Sequence, residues 1–393
     1  MAKLLDFLAI FKFVKEVSLR KMKNFIPIAL ALFLCFSSSF AQTTFSKIAE
    51  FKIDLLNPVK ILDYYPAKKQ YLGFINEGSK GNKIALFSEN GKVLVSEKLQ
   101  GKGPNQIVES INQIAFAEDG TIWVHSSHNL YRYDQNLKKT KKIPFRSKYT
   151  VSLYSPKKLT YFYENGVKGD NSFISQPSGY STFFGFTDFL KESLIEVFNP
   201  KNEKTYNFAP VSGRSNFSKL DPSIHSIYAP VYSLDKSRGK LYLTTTLDDE
   251  ISIIDLRSKK KTEALKIRHE NFPVLKSSRI SLNNIASKGP INLGAKNDNI
   301  YVLSDGTVLL EYIRAISPEV YEQKIAENRN YHHFGDPSYR RLILIRNGKQ
   351  VGEDIQLPYG EIAMLLPDDT LLIKLLNPEE EEDFTRYGIF RLK

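Results

Sequence analysis

The stretch "QIAFAEDGTIWVHSSHNLYRYDQNLKKTKKIPF", residues 113–145, holds four strand-like segments separated by short polar turns. "QIAFAED" and "TIWVHSS" flank an Asp-Gly pair, the composition of a tight hairpin, and "NLYRYDQ" and "KKTKKIPF" form a second hairpin about another polar turn. Chained together they make a four-stranded meander A-B-C-D. The gradient from apolar first strand to Lys-rich last strand is what a β-propeller blade requires, with strand A toward the core and strand D toward solvent.

The same units recur. "FAEDGTIWVHS" (116–126), "VLSDGTVLLEY" (302–312) and "MLLPDDTLLIK" (364–374) each join two apolar strands through Asp-Gly or Asp-Asp followed by Thr. The second hairpin returns as "LIEVFNPKNEKTYNFAP" (194–210), "EISIIDLRSKKKTEALKI" (250–267) and "RLILIRNGKQVGEDIQL" (341–357). Blades are expected at about 58–99, 111–145, 150–210, 226–268, 298–358 and 361–393. The sixth shows only three strands, so "SKIAEFKID" (46–54) is expected to supply its fourth and close the ring by pairing the two ends of the chain. The fold class is therefore all-β, a propeller of four-stranded antiparallel blades, six in number. A period of roughly 58 residues exceeds the usual 40–50, which leaves a seventh blade open.

Composition agrees with this reading. The 393-residue chain is 42% hydrophobic, and its 26 Phe and 21 Tyr favour strands. Residues 22–41 have basic Lys23, an apolar run from Phe25 to Phe36, and small Ser39 and Ala41 before a cut at Gln42, the pattern of a signal peptide. Residues 1–21 then read as an upstream extension from a misassigned start, and 42–393 as a single propeller domain. The run is too short for a permanent span, so no transmembrane anchor is expected after cleavage. Cys35, the single cysteine, lies in that run, and bulky Leu34 before it argues against lipid attachment. Removing residues 1–41 takes away six basic and two acidic side chains and lowers the net charge from +12 to about +8. These lysines are scattered rather than gathered in a patch with stacking aromatics, which argues against a nucleic-acid partner.

In an A-B-C-D meander the A-B and C-D turns emerge on one face and the B-C and D-A connections on the other. The long connections fall on the second face: 76–82, Glu164 to about Leu190, 315–339 and 377–386. Loops enlarged on one end of a rigid scaffold are where binding commonly resides. "GKGPNQI" (101–107) after the last strand of the first unit, "INQIAFAEDGTIWV", "LYRYDQNLKKTKKI" and "ISPEVY…HHFGDPSYRRLILI" together make the chain resemble the TolB-like six-bladed propellers exported by Gram-negative bacteria, over residues 46–393. That resemblance implies a fold and an exported location, in the periplasm or cell envelope; it supplies no catalytic residues.

The reactive groups are few. "GKGPNQ" lacks the Ser/Thr and following helix of a phosphate loop and reads as an inter-blade turn. "YHHFGD" places His332 and His333 beside Asp336, but successive strand residues point to opposite sides, so a metal site needs that segment to be a loop. The acidic run 378–383 lacks the Gly or Asn that folds ligands around calcium. His125 shares a face with Trp123 and is expected to pack. The expectation is an exported, non-catalytic, monomeric propeller, without cofactor, that binds a peptide, protein partner or glycan on the insertion-bearing face. Its contact candidates are Lys102, Asn105, His128, His332, His333, Asp336, Arg340 and Arg341. The alternative is a lactonase-like or glycan-cleaving hydrolase with an axial divalent metal such as calcium.

Overall fold

A computed structural model describes residues 43–144, 157–167, 169–175, 193–213, 229–273, 293–377, 379 and 382–393. The expected extension and signal peptide lie outside them. The chain opens with β1 (Phe45–Ile53) and then lays down blade 1: β2 (Val59–Tyr65), β3 (Gln70–Asn76), β4 (Asn82–Ser88) and β5 (Val93–Glu97). Blade 2 comprises β6 (Ile111–Phe116), β7 (Ile122–Ser126), β8 (Asn129–Tyr133) and β9 (Lys139–Pro144), with the two-residue β10 (Lys157–Lys158) added parallel to β6. Blade 3 comprises β11 (Thr160–Tyr163), β12 (Asn171–Ser175), β13 (Ser193–Asn199) and β14 (Lys204–Pro210). Blade 4 is β15 (Pro230–Asp235), β16 (Lys240–Thr245), β17 (Glu250–Asp255) and β18 (Lys260–Lys266).

In blade 5, β19 (Lys296–Val302), β20 (Val308–Ile313) and β21 (Arg340–Arg346) are edged by short β22 (Lys349–Gln350) and β23 (Ile355–Gln356). Blade 6 is β24 (Gly360–Leu365), β25 (Leu371–Leu375) and β26 (Thr385–Leu392), and β1 is its outermost strand. The six sheets make this a six-bladed β-propeller.

The repeated Asp turn works alike in three blades. Asp119 accepts from the Thr121 amide (3.1 Å) and hydroxyl (2.6 Å), Asp305 accepts from the Thr307 amide (2.8 Å), and Asp368 accepts from the Thr370 hydroxyl (2.6 Å). The residue between them takes positive φ: +79° at Gly120, +88° at Gly306 and +61° at Asp369. Aspartate is among the few non-glycine residues that tolerate this region, so the Asp-Asp variant keeps the turn.

Packing follows from strand alternation. Along β7, Ile122 and Val124 enter a cluster with blade 1, while Trp123 points the other way to Phe173 of blade 3, with ring centroids 5.1 Å apart. Among the described residues the buried hydrophobics form six such clusters, one in each gap between neighbouring blades. The Lys-rich outermost strands β9 and β18 are exposed, as the expected gradient requires, but the innermost strands are not the most buried. The middle strands are the most buried, with every residue of β7 and β20 buried, because each has a strand on both edges as well as neighbouring blades on both faces. Inner strands other than β6, which has β10 on its inner side, have a neighbouring strand on one edge only.

A second correction concerns the loop from Glu164 to Leu190. β12 interrupts it, so residues 164–170 are an A-B connection on the opposite face, and the remainder lies outside the described residues.

Ring closure takes the expected form. β1 runs antiparallel to β26 from Phe45↔Leu392 to Ile53↔Thr385, extended by reciprocal backbone bonds between Thr44 and Lys393 of 3.2 and 3.0 Å. Behind it, buried Tyr387 of β26 donates its hydroxyl to Val59 O (3.0 Å) and accepts from Ile61 N (3.1 Å), both on the inner edge of blade 1. Replacing Tyr387 with Phe leaves that carbonyl and amide buried without partners. We expect a loss of about 1–3 kcal/mol, read as a lower urea midpoint with unchanged slope.

Candidate functional site

The connection between β20 and β21 is a built structure. It contains α1 (Pro318–Glu327), whose start is set by Pro318 and by Ser317, the hydroxyl of which accepts from Val320 N at 3.3 Å. Two short 3-10 turns, His333–Gly335 and Pro337–Tyr339, return the chain to β21. Asp336 ties the return together: it accepts from the Ser338 amide (3.0 Å) and hydroxyl (2.6 Å) and from the Tyr331 hydroxyl (3.0 Å), and pairs with Lys324 at 3.1 Å. Burial opposes its charge, but the Ser338 bonds and Lys324 outweigh that and hold its carboxyl below the usual range.

That return delivers Arg340 into the protein beside the channel. Arg340 is 7% exposed; its Nη1 donates to Asp298 (2.9 Å) and to Glu311 (2.6 Å), its Nη2 donates to Phe334 O (3.3 Å), and Glu361 of blade 6 lies 3.8 Å away. The second oxygen of Glu311, itself fully buried, accepts from Asn299 Nδ2 (3.0 Å) and the Tyr301 hydroxyl (2.9 Å). Burial pushes the Glu311 carboxyl upward, whereas at Asp298 burial is overcome by Lys296 and Arg340, and its pKa falls well below the usual carboxylate range. Burial also works against the Arg340 charge, but Glu311 and Asp298 outweigh it and keep the guanidinium charged.

Further groups converge on this network from across the channel. Lys60 on β2 has Glu361, Asp298, Lys374 and Arg340 as electrostatic neighbours, and Lys157 on β10 has Asp298, Lys296 and Lys60. Both lysines keep contact with solvent, yet enough protein surrounds them that burial lowers both ammonium pKa values. That combination fits side chains that face the central channel around which propeller blades are arranged. Lys60, Glu361 and Asp298 lie early in inner strands, at the end where the D-A connections enter. Towards the other end, Lys158 pairs with Asp63 at 2.7 Å and Lys236 stacks over Tyr161 at 3.4 Å, its pKa lowered by burial and by Lys158 to about 8.

Of the residues singled out from sequence, Arg340 is at the centre of the network. Arg341 is half-buried and donates to the carbonyls of Ser338 (2.8 Å) and Arg340 (2.7 Å). His332 is exposed at the rim of the insertion, while His333 is buried against Phe334 and Tyr339, with centroids 5.3 and 4.7 Å away. His128 is exposed in the B-C turn of blade 2.

Lys102 is exposed on the D-A connection, but the turn there serves the gap between blades 1 and 2. Asn105 donates to Leu137 O (2.6 Å) and accepts from Lys139 N (2.5 Å), contacts at the C-D turn of blade 2, away from the insertion-bearing end. Among the described residues no group of three or more His, Cys, Asp or Glu side chains has a metal-holding arrangement.

Sequence reading missed Lys60, Lys157, Asp298, Glu311 and Glu361. A charge inside an otherwise apolar strand, as in "VKIL", "VLLEYI" and "GEIAML", is the signal that points to them.

The fold and this arrangement define a six-bladed propeller with a charged channel mouth. No family model and no curated protein matches the chain. Among solved structures it is similar to a member of the DUF4221 family from Bacteroides vulgatus, at TM-score 0.65 and 10% identity, covering 90% of this chain and 99% of that one. A candidate exported protein of Bacteroides fragilis matches at TM-score 0.48 and 10% identity over 91% of this chain and 96% of the other. A gluconolactonase from Xanthomonas campestris matches at 0.44 and 11% identity over 91% and 93%. At such identities the first likeness shows the fold alone, and the other two carry no argument.

Two expectations follow from the buried charges. Arg340→Met strands Glu311 without its cation and should cost about 3–5 kcal/mol. Adding Glu311→Gln should recover part of that loss, and a double-mutant cycle in urea measures the coupling.

The buried rings of His125 and His333 are pushed by desolvation from 6.5 to about 4. Unfolding lets them protonate near 6.5, so their contribution is complete above pH 6.5 and is lost as pH falls toward 4, by up to about 3 kcal/mol per ring. Replacing both with Gln should flatten denaturation midpoints measured between pH 7 and 4.5 relative to the parent chain.

Proposed function

We propose that this chain is an exported, non-catalytic binding propeller of the TolB-like kind, directed out of the cytoplasm by the signal peptide at 22–41. Its ligand, a peptide, a partner protein or a glycan, seats on the insertion-bearing end of the channel. The observation that carries this reading is the construction of that end. A capped helix and two 3-10 turns form a fixed insertion whose return strand is anchored by a buried arginine network, next to charged side chains that meet solvent. Spending buried ion pairs to position one loop is costly for stability, and a binding surface that must not move is a reason to retain them.

Apolar contact area lies on the same set of connections. Leu56, Val108 and Tyr359, each on a D-A connection, are 82%, 70% and 41% exposed. Leu56 is four residues before Lys60 and Tyr359 is two before Glu361, so the polar wall and the apolar side chains come from the same entry segments. An apolar rim around a few oriented polar groups is the usual make-up of a ligand site.

The test is a screen of the purified chain from residue 42 onward against glycan and peptide arrays. His128→Ala, His332→Ala and Tyr359→Ala remove exposed side chains without touching the buried network. Any hit should weaken about tenfold or more in at least one of them while the melting temperature holds. A hit retained at full strength in all three would place binding elsewhere and overturn the proposal.

A further inference from the structure

We infer that a cavity between blades 4 and 5, at the end of the propeller opposite the insertion, binds one neutral hexopyranose unit of a glycan. This site lies apart from the insertion-bearing end and does not rest on the reading above.

The cavity opens where the A-B and C-D turns of two neighbouring blades stand side by side, and its volume is about 150 Å³. On blade 4 the ladder sets Tyr242 of β16 beside Ile253 of β17, and Ile253 beside Glu263 of β18, so one row of side chains crosses three strands. The facing row on blade 5 is Val308 of β20 beside Ile345 of β21. Tyr242, Ile253, Val308 and Ile345 all belong to the apolar cluster that fills this gap, and the cavity is the mouth of that cluster.

Two glycines keep the space open. A side-chain carbon at Gly306 would come within 2.6 Å of Arg238 Nη1, and one at Gly348 would stand 3.5 Å from Glu263 Oε1. Both take positive φ, +88° and +74°, which glycine enters without strain. The same contacts mark the two ends of the cavity. Arg238, in the A-B turn of blade 4, bounds it toward the axis, and Glu263, on the outermost strand, bounds it toward the rim.

The polar groups here have unused bonding capacity. Tyr242 is 4% exposed and lines the cavity, yet its hydroxyl makes no hydrogen bond among the described residues. A buried side chain whose polar atom the protein leaves unpaired calls for a partner from outside. Lys240 and Glu263 also line the cavity, and their charged groups make no ion pair or hydrogen bond among the described residues. Arg238 is held by Asp235 through Nε and by Leu303 O through Nη2 at 3.1 Å, which leaves Nη1 over Gly306.

The lining selects the class of ligand. Among the described residues of the wall, Arg238 and Lys240 are matched by Glu263 and Asp305, so a neutral ligand fits better than an anion or a cation. The Tyr242 hydroxyl, the Lys240 ammonium and Arg238 Nη1 supply donors, the Glu263 carboxylate supplies an acceptor, and apolar side chains lie between them. A sugar ring has the complementary make-up, with hydroxyls that donate and accept around its edge and C–H groups on its faces. A volume of about 150 Å³ takes one six-membered ring, with its outer hydroxyls in the open mouth.

The experiment titrates the chain from residue 42 with glucose, galactose, mannose and N-acetylglucosamine, following the amide resonances of Gly306 and Gly348 and the heat of binding. At least one of these sugars should bind saturably with a Kd at or below about 10 mM. That affinity should fall about tenfold or more in Tyr242→Phe and in Glu263→Gln, and stay unchanged in His332→Ala at the insertion. Neither cavity substitution removes a side-chain hydrogen bond or ion pair within the described residues, so melting temperatures should hold.

Absence of saturable binding by all four sugars overturns the inference, as does affinity retained in either cavity variant. Binding lost in His332→Ala would place the sugar at the insertion and overturn it as well. Glucuronate and glucosamine should bind no more tightly than the best neutral sugar; tighter binding of either would overturn the assignment of a neutral ligand.

Discussion

The pairing of β1 with β26 is the constraint on which everything else depends. A propeller has no central core; its apolar groups are divided among the gaps between blades, and each gap is only as good as its two walls. Without β1, blade 6 would lose its outer strand and the gap against blade 1 would lose Ile53. The hydroxyl of Tyr387 then fastens that gap on its inner side, where the edge of β2 would otherwise leave backbone groups unpaired. Related fasteners recur at other gaps. Asp63 accepts from Phe116 N at 2.8 Å between blades 1 and 2, and Asn297 donates to Thr245 O and Asp248 O, both at 2.8 Å, between blades 5 and 4.

A closed ring also explains why charge collects at the channel. Apart from β6, inner strands have a neighbouring strand on one edge only, so side chains directed toward the axis escape the apolar gaps. Those that reach the channel keep contact with solvent, as Lys60 does, although the surrounding protein still lowers its pKa. Those held between a strand and the insertion, such as Glu311 and Arg340, must find partners or lose their charge. The insertion and the network are thus mutually dependent: the 3-10 turns place Arg340, and Arg340 holds the turn through Phe334 O.

Much of the architecture is legible in the sequence because its signals are local. The Asp-Gly-Thr and Asp-Asp-Thr turns need only a few adjacent residues, and the blade boundaries follow from them. The ring closure was legible by subtraction, from a sixth unit short of one strand and a spare strand at 46–54. The interior of blade 3 was not, because residues 164–170 have loop-like composition on both sides of a short strand and nothing local marks Asn171–Ser175 as the second one. The site was legible in part. Arg340, His332 and Asp336 stand in a visibly unusual insertion, whereas Lys60, Glu311 and Glu361 are single charges in apolar strands, and a strand pattern does not say whether such a charge meets water, a partner or neither.

The sequence by itself determined the turn chemistry, the repeating blade pattern and the role of the N-terminal strand, because these depend on residues close in the chain or on simple arithmetic of repeats. Only the tertiary structure decided which charges face one another across the channel. Lys60, Lys157, Asp298, Arg340 and Glu361 are far apart in sequence and belong to four different blades, and what brings them together is the closure of the ring. The local pattern that forms each blade carries no information about its neighbour across the axis, so the electrostatics of the channel exist only once all six are in place.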